Sequence, residues 1–234
     1  MRAGEKRVPS DGDCGKEPPR AAPGGGPGVR KTGGIDEEKK ARIIAAAVAE
    51  FAAHGYKNAN TNRIVKEAGV SKGLLFHYFG SKKALYLYLY DYAMRLVIDE
   101  AFSRFDRSER DIFKRWRAGT VLKYDIMRRH GPLFEFILDA YARADDEVRN
   151  AIDALTGTWI ETAWRDLREN LDLSLFRTDI DTEKAIHILF WTLAGYSRKM
   201  VAPSMPLAYY REHYDALLEG LDGYLDTLRR LLYK

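Results

Sequence analysis

Two carboxylate runs and five histidines are the residues of this sequence with types and spacing that could ligate a metal or move a proton. The runs are Asp145-Asp146-Glu147 and Asp179-Ile180-Asp181-Thr182-Glu183, and the histidines are His54, His77, His130, His187 and His213. Neither set completes a motif. No glycine or distal glutamate closes a calcium loop around the second run. No HExxH pair, nucleophile elbow or phosphate loop is present. Both acidic runs stand just before apolar-periodic segments, where they suit a helix N-terminus. Bond-making chemistry, metal sites and cofactors are therefore not expected. Another kind of chemistry is written more clearly. The stretch Asn60–Lys82, NTNRIVKEAGVSKGLLFHYFGSK, reads as a short helix, a glycine turn and a second short helix.

Charge fits a polyanion at this end of the chain. The net charge is +4 over 234 residues. Residues 36–90 carry nine Lys/Arg against five Asp/Glu, and residues 1–34 carry seven against four. The rest is net acidic, so positive charge gathers where a nucleic acid would be met.

The elements that must position the motif are helical almost throughout. Apolar residues recur at helical spacing, and no segment alternates like a strand. The fold class is all-α: an N-terminal three-helix helix-turn-helix domain plus a C-terminal helical domain. Helices are expected near 36–53, 61–67, 71–78, 82–105, 109–129, 132–143, 146–170, 182–201 and 206–232. Gly55, Gly69 and Gly80 act as stops, and Ser71 and Ser81 as N-caps. Residues 1–34 hold nine Gly and five Pro and read as a disordered tail. The expected domains are 1–34 tail, 35–81 helix-turn-helix and 82–234 helical. No apolar run approaches the roughly 18 residues of a membrane span, and the N-terminus has no signal-peptide h-region. The one cysteine, Cys14, leaves no intrachain disulfide. A cytoplasmic protein is expected.

Within the motif, Ile64, Val65, Ala68, Val70, Leu75 and Phe79 have the spacing to pack inward. Lys72, Gly73, Leu74, Phe76, His77 and Tyr78 then face outward. Such an apolar outward face suits a helix entering a major groove, where apolar groups meet thymine methyls. Gly73 lets the backbone come close to DNA.

The run Arg42–Tyr86 resembles the DNA-binding domain of the tetracycline-repressor (TetR) family. RIIAAAVAEFAAHGY, Thr61 and then IVKEAGVSKGLLFHYFGSKKALY carry the likeness. The resemblance implies that Thr61, Ser71, Lys72, Gly73, Leu74, His77, Tyr78 and Lys82 meet DNA. Thr61, Lys72 and Lys82 would take phosphates, and His77 and Tyr78 a phosphate or base edge. Two positions depart. Phe76 stands where the family usually has Tyr, and Leu74 where it often has Thr or Ser.

The resemblance also implies a double-stranded DNA operator, a homodimer and a small-molecule ligand. Aromatics at Trp116, Tyr124, Phe134, Tyr141, Trp159 and Trp191 would line its pocket or simply fill the core. Arg128, Asp139 and His187 are further polar candidates for orienting it. The dimer face is expected along Phe190 and Leu193, with Gly195 allowing close approach, and along Leu217, Leu221, Tyr224 and Leu228. The function implied is a ligand-responsive regulator, a repressor released from a palindromic operator by a small apolar or aromatic ligand. The alternative is a ligand- or partner-binding helical dimer with a degenerate DNA face.

Overall fold

A computed structural model describes residues 37–200 and 207–234. The tail expected over 1–34, with Cys14, lies outside the described residues, as do Pro203 and Pro206. Among the described residues there are α-helices, one 3-10 turn and no strand. The helices are α1 (Glu37–Asn58), α2 (Thr61–Ala68), α3 (Lys72–Phe79), α4 (Lys82–Arg104), α5 (Ile112–Arg129), α6 (Gly131–Arg143), α7 (Asp146–Arg168), α8 (Thr182–Met200), α9 (Leu207–Glu212) and α10 (Tyr214–Leu232).

Caps set most of these boundaries. Gly55, at φ 68°, kinks α1, and three more residues follow before it ends at Asn58. Asp111 caps α5 by accepting from the Phe113 amide at 2.9 Å. That moves the start of α5 to Ile112, three residues later than its periodicity suggests. Asp145 caps α7, accepting from the Glu147 amide at 3.1 Å, so the first acidic run serves a helix N-terminus. Asp181 does the same for α8 through the Lys184 amide. The helix expected over 206–232 is two. His213 breaks it, with its ring stacked on Tyr209 at 4.0 Å.

Among the described residues the interior divides into three clusters. The first joins α1–α4 to α6 and the start of α7, through Ile43, Phe51, Ile64, Leu75, Tyr86, Leu89, Phe136 and Ile152. Phe51, Tyr86 and Phe136 form an aromatic knot, with Tyr86 edge-on to both partners at 4.9 and 5.3 Å. Buried between α4 and α7, the Tyr90 and Thr156 hydroxyls share a 2.7 Å hydrogen bond. The expected boundary at 81/82 is therefore not a boundary in packing: the helix-turn-helix and the helices beyond it share one core.

The second cluster joins the start of α5 to α8 and α10, and the third joins the end of α5 to Phe134, Tyr210 and Leu217. Arg115 locks the α4–α5 connection to the end of α7. Its side chain is 2% exposed. The guanidinium donates to the carbonyls of Arg107 at 3.1 Å and Leu167 at 3.0 Å, and to those of Glu109 and Glu169. At the other end of α5's first turn, Asp111 also accepts from Arg229 and from the Tyr233 hydroxyl, pinning the end of α10.

Candidate nucleic-acid interface

Local chemistry shapes the motif before any tertiary contact. Asn60 starts α2, its side chain accepting from the Asn62 amide at 2.8 Å. Gly69 ends α2 in the left-handed region at φ 63°, where a side chain would be strained. Its amide bonds the Lys66 carbonyl, and the Val70 amide returns to Val65. Ser71 opens α3, its hydroxyl accepting from the Leu74 amide at 3.1 Å. Gly80, at φ 73°, ends α3, and Ser81 caps α4 through the Ala84 amide. Two short helices are thereby set across a tight turn.

Packing then fixes which face looks out. Ile64, Ala68 and Leu75 are each 1% exposed, and Phe79 is buried. A charged latch holds α2 to α1. Glu50 accepts from the Asn60 amide at 2.7 Å and from the Arg63 guanidinium at 2.9 Å. Those bonds, Arg63 first, hold the Glu50 carboxyl below the usual carboxylate range. Sequence reasoning missed this latch, because its partners are thirteen residues apart and neither belongs to the apolar pattern.

The outward face of α3 is narrower than expected. Ser71, Lys72, Gly73 and His77 are exposed, while Leu74, Phe76 and Tyr78 are half-buried. Tyr78 packs against the first core and touches the His77 ring edge-on at 5.2 Å. Lys72 has no carboxylate partner among the described residues, and its ammonium lies 6.0 Å from the Phe76 ring. Ser71 spends its acceptor on the cap, leaving the hydroxyl proton free to donate. Thr61 is half-buried at the first position of α2.

Lys82 is the one basic candidate already engaged. Its ammonium donates to the Lys57 carbonyl at 3.0 Å and lies 5.1 Å from the Tyr56 ring. A direct phosphate contact from Lys82 would have to share or break that bond.

Gly73 is informative for what it lacks. It has no positive φ, and a Cβ there would meet only the Ser71 hydroxyl at an ordinary 3.9 Å. Glycine inside a helix costs roughly 1 kcal/mol against alanine. Nothing among the described residues requires a glycine at this position.

Further along the chain the expected pocket residues do not form one site. Trp116 is half-buried beside Trp164 and Phe190, at 6.2 and 6.1 Å. Tyr124 is half-buried, edge-on to Tyr214, and burial pushes its hydroxyl up to about 12. Trp159 donates to Asp91 at 3.1 Å. The Tyr141 carbonyl accepts from Arg149. Two assignments are corrected. Phe134 is 5% exposed, a core residue of the third cluster. Trp191 is 68% exposed on the outer side of α8, stacked on His187, so neither ring faces an interior pocket. Asp139 is engaged by Arg143, and Arg128 is exposed.

The expected dimer stripe is corrected as well. Leu193, Leu217, Leu221 and Leu228 are at most 8% exposed. They close the protomer's own core, because they sit on the sides of α8 and α10 that face each other and α5. Phe190 is half-buried against Trp164 at 4.4 Å. Close approach of the two helices depends on Gly220, where a Cβ would collide with the Tyr196 hydroxyl, and not on Gly195, which has open space. Of the side chains in the expected stripe only that of Tyr224 is exposed. It stands with Ile188 and Trp191 of α8 and Leu231 of α10 among the exposed large apolar residues. The repeat Ile188, Trp191, Gly195 is legible in the sequence; of these only Gly195 belongs to the expected dimer face, and it lies on the opposite side of α8 from Leu193.

Among the described residues no group of acidic, His or Cys side chains could hold a metal, and no helix is long and apolar enough to cross a membrane.

Known proteins share both the motif and the fold. Residues 43–89 match the family of bacterial regulatory proteins described as the tetR family. Over 50 residues the chain is 50% identical to the HTH-type transcriptional repressor SCO4008 of Streptomyces coelicolor, a match covering 21% of this chain and 26% of that protein. The likeness to this curated relative thus spans only about a quarter of its length. Two solved structures extend over most of the chain. The fatty acid degradation regulator FadR of Bacillus halodurans superposes with a TM-score of 0.59 at 21% identity, over 86% of this chain and 97% of that one. FadR of Bacillus subtilis in complex with stearoyl-CoA superposes with a TM-score of 0.56 at 17% identity, over 81% and 97%. At such identities these two show the fold alone. Residues 43–89 of this chain are thus those of the tetR family of bacterial regulatory proteins, set in a chain that shares its fold with these solved structures.

Proposed function

We propose that this protein is a dimeric transcriptional repressor that binds a palindromic DNA site through α3 and is released by a small molecule. The observation that carries the DNA half is the exposed N-terminal turn of α3. There an unpaired Lys72 adjoins a glycine for which the protomer has no use. An unpaired ammonium suits a phosphate, and a bare backbone suits close approach to a groove. His77 on the same face is placed for a base edge or phosphate. The name of the Streptomyces relative, a repressor, agrees with this reading.

The dimer half rests on Ile188, Trp191, Tyr224 and Leu231. Four large apolar side chains exposed on two adjacent helices are unusual for a free surface. Two copies would bury them by isologous pairing as a four-helix bundle. The two recognition helices would then read half-sites roughly 34–36 Å apart.

The ligand half rests on continuity of packing. Phe136 of α6 touches both Phe51 of α1 and Tyr86 of α4. A molecule that shifts α6 relative to α4 therefore moves α1, and with it the helix-turn-helix. Coupling of about 1–3 kcal/mol is enough for such a switch. The Bacillus subtilis relative was crystallised with stearoyl-CoA, an instance of a ligand on this fold.

The test is selection of binding sequences from random duplex DNA at two salt concentrations. A recovered palindrome with salt-sensitive affinity is expected. Lys72→Ala should weaken binding to all sequences and lower the salt slope by about 1. Failure to enrich any sequence with a folded dimer would favour a degenerate DNA face.

A further inference from the structure

Helix α5 is buried at both ends and nowhere in between. Ile112, Phe113 and Arg115 are buried at its start, and Ile126 and Met127 at its end. Of residues 116–125 none is buried. Half of that stretch should be buried by register. Trp116, Gly119, Thr120 and Lys123 fall on the same side of the helix as Ile112, Ile126 and Met127, at spacings of three, four and seven. The solvent side is held by Lys114, Arg117, Ala118 and Arg128, all exposed. A span of ten residues is about 15 Å of helix. So the inward side of α5 has a gap in its packing of about that length, between the second and third core clusters.

Lys123 stands within this gap, on the inward side of the helix by register. It retains a large accessible surface although it sits on the inward face. Its ammonium is nevertheless surrounded by protein, and burial alone depresses its pKa. A surface that is accessible and yet deep inside is one wetted from an internal cavity. No hydrogen bond or ion pair to Lys123 is present among the described residues. An isolated ammonium in such a place is costly, and α5 has spare positions on its outer face for a lysine. One end of the gap is aromatic: Trp116 abuts Trp164 and Phe190.

We propose that Lys123 anchors an anionic head group inside this cavity, so that the ligand is an amphipathic organic monoanion whose apolar body lies toward Trp116 and Trp164. The proposal rests on the ligand-responsive reading above and narrows it from a small molecule to one carrying a single negative charge. The head group supplies the counter-charge that the protein withholds. The aromatic end supplies the area. A neutral ligand of the same shape would leave the ammonium unpaired in a site it had dried.

Two probes with one aromatic body separate these cases. 8-Anilinonaphthalene-1-sulfonate carries an anion, and N-phenyl-1-naphthylamine is neutral. Binding of each to the full-length dimer is followed by probe fluorescence and by quenching of tryptophan. The sulfonate is expected to bind Lys123→Met at least about tenfold more weakly than wild type, the size of one charge-assisted hydrogen bond. Lys123→Arg should retain the affinity, and the neutral probe should bind all three proteins alike. Removing an unpaired buried charge should also raise the melting temperature of Lys123→Met, which separates lost recognition from lost folding. Equal binding of the sulfonate to Lys123→Met and wild type, with the neutral probe bound, overturns the anion anchor and leaves a ligand cavity standing. Binding of neither probe overturns the cavity and the ligand-responsive half of the proposed function. The DNA half would still be judged separately by sequence selection.

Discussion

Around the N-terminal half of α4 the interior is continuous, and around α5, α8 and α10 it is not. On the DNA side, α1–α4, α6 and the start of α7 share one cluster whose buried polar groups are paired, as with Tyr90 and Thr156. On the far side the core is split. The inward side of α5 is unburied over residues 116–125, and four large apolar residues are exposed on α8 and α10. The first region is finished by its own chain. The second is left open at two places, one inside and one outside, and each is where something else would complete it. A protein that must hold a reading head rigid while its far end responds has reason to be built this way.

The sharpest way to break this contrast is at the outer opening. Trp191→Glu places a charge at the centre of the exposed apolar face while disturbing little within the protomer, since the ring is 68% exposed. It should yield a folded monomer by sedimentation. DNA affinity should fall by about a hundredfold or more, because two linked half-sites become one. A dimer of unchanged affinity would show that these residues are not the interface.

Arg115 tests whether the far region is held by a few strong ties in place of a continuous core. Arg115→Met leaves four backbone carbonyls without their donor. A cost of about 3 kcal/mol is expected, read as a lower urea midpoint. Loss should fall first on the junction of α5 and α7, so that protease cutting near residues 105–110 or 167–172 precedes global unfolding. A uniform small loss would mean that the clusters, and not this hub, hold the region.

The same contrast governs how far the sequence can be read. The helix-turn-helix was legible because its determinants are local. Gly69, Ser71, Gly80 and Ser81 act within four residues of where they stand, and the apolar spacing of Ile64, Ala68, Leu75 and Phe79 names the inward face directly. On the far side, face assignment was ambiguous. Helix α8 carries apolar residues on two faces, Ile186–Leu189–Leu193 and Ile188–Trp191, and periodicity alone does not say which meets its own chain and which a partner. The more continuous stripe was taken for the partner's, when continuity is what a protomer's own core demands. Phe134 and Trp191 were misplaced for the same reason: an aromatic at helical spacing does not declare its depth. A lone lysine in an amphipathic helix reads as solvent-facing until residues of the same side at both ends of the helix are known to be buried, so Lys123 carries no signal in the sequence. The Glu50–Arg63 latch and the bond from Lys82 to the Lys57 carbonyl join segments whose proximity only the fold reveals.

That latch offers a pH-resolved test of the finished side. Glu50 is held below the ordinary carboxylate range by Arg63 and the Asn60 amide. A depressed acid stabilises the fold fully above its unfolded value, near 4.5. The contribution is lost as pH falls through the lower folded value. Wild type should thus lose stability on acidification below about pH 4.5, and Glu50→Gln should lose less over that window while starting lower at pH 7. Arg63 is half solvent-exposed, so the difference at neutral pH should be roughly 1 kcal/mol or less. Parallel acid limbs for the two proteins would remove Glu50 from the latch.

Gly73→Ala makes the smallest change to the molecule and divides the two regions' demands most cleanly. Within the protomer the substitution meets no obstacle, since φ is not positive and the new methyl would touch only the Ser71 hydroxyl. Helix propensity then favours alanine by roughly 0.5–1 kcal/mol, less so in a first turn. Melting temperature should rise slightly. If the bare backbone exists to let DNA approach, affinity for the selected operator should fall at the same time, and the loss should grow with the side chain from alanine to valine. Opposite signs in stability and binding are the mark of a residue kept for a partner and not for the fold. Should both rise together, the glycine has no bearing on DNA, and the case for the α3 face would rest on Lys72 and His77 alone.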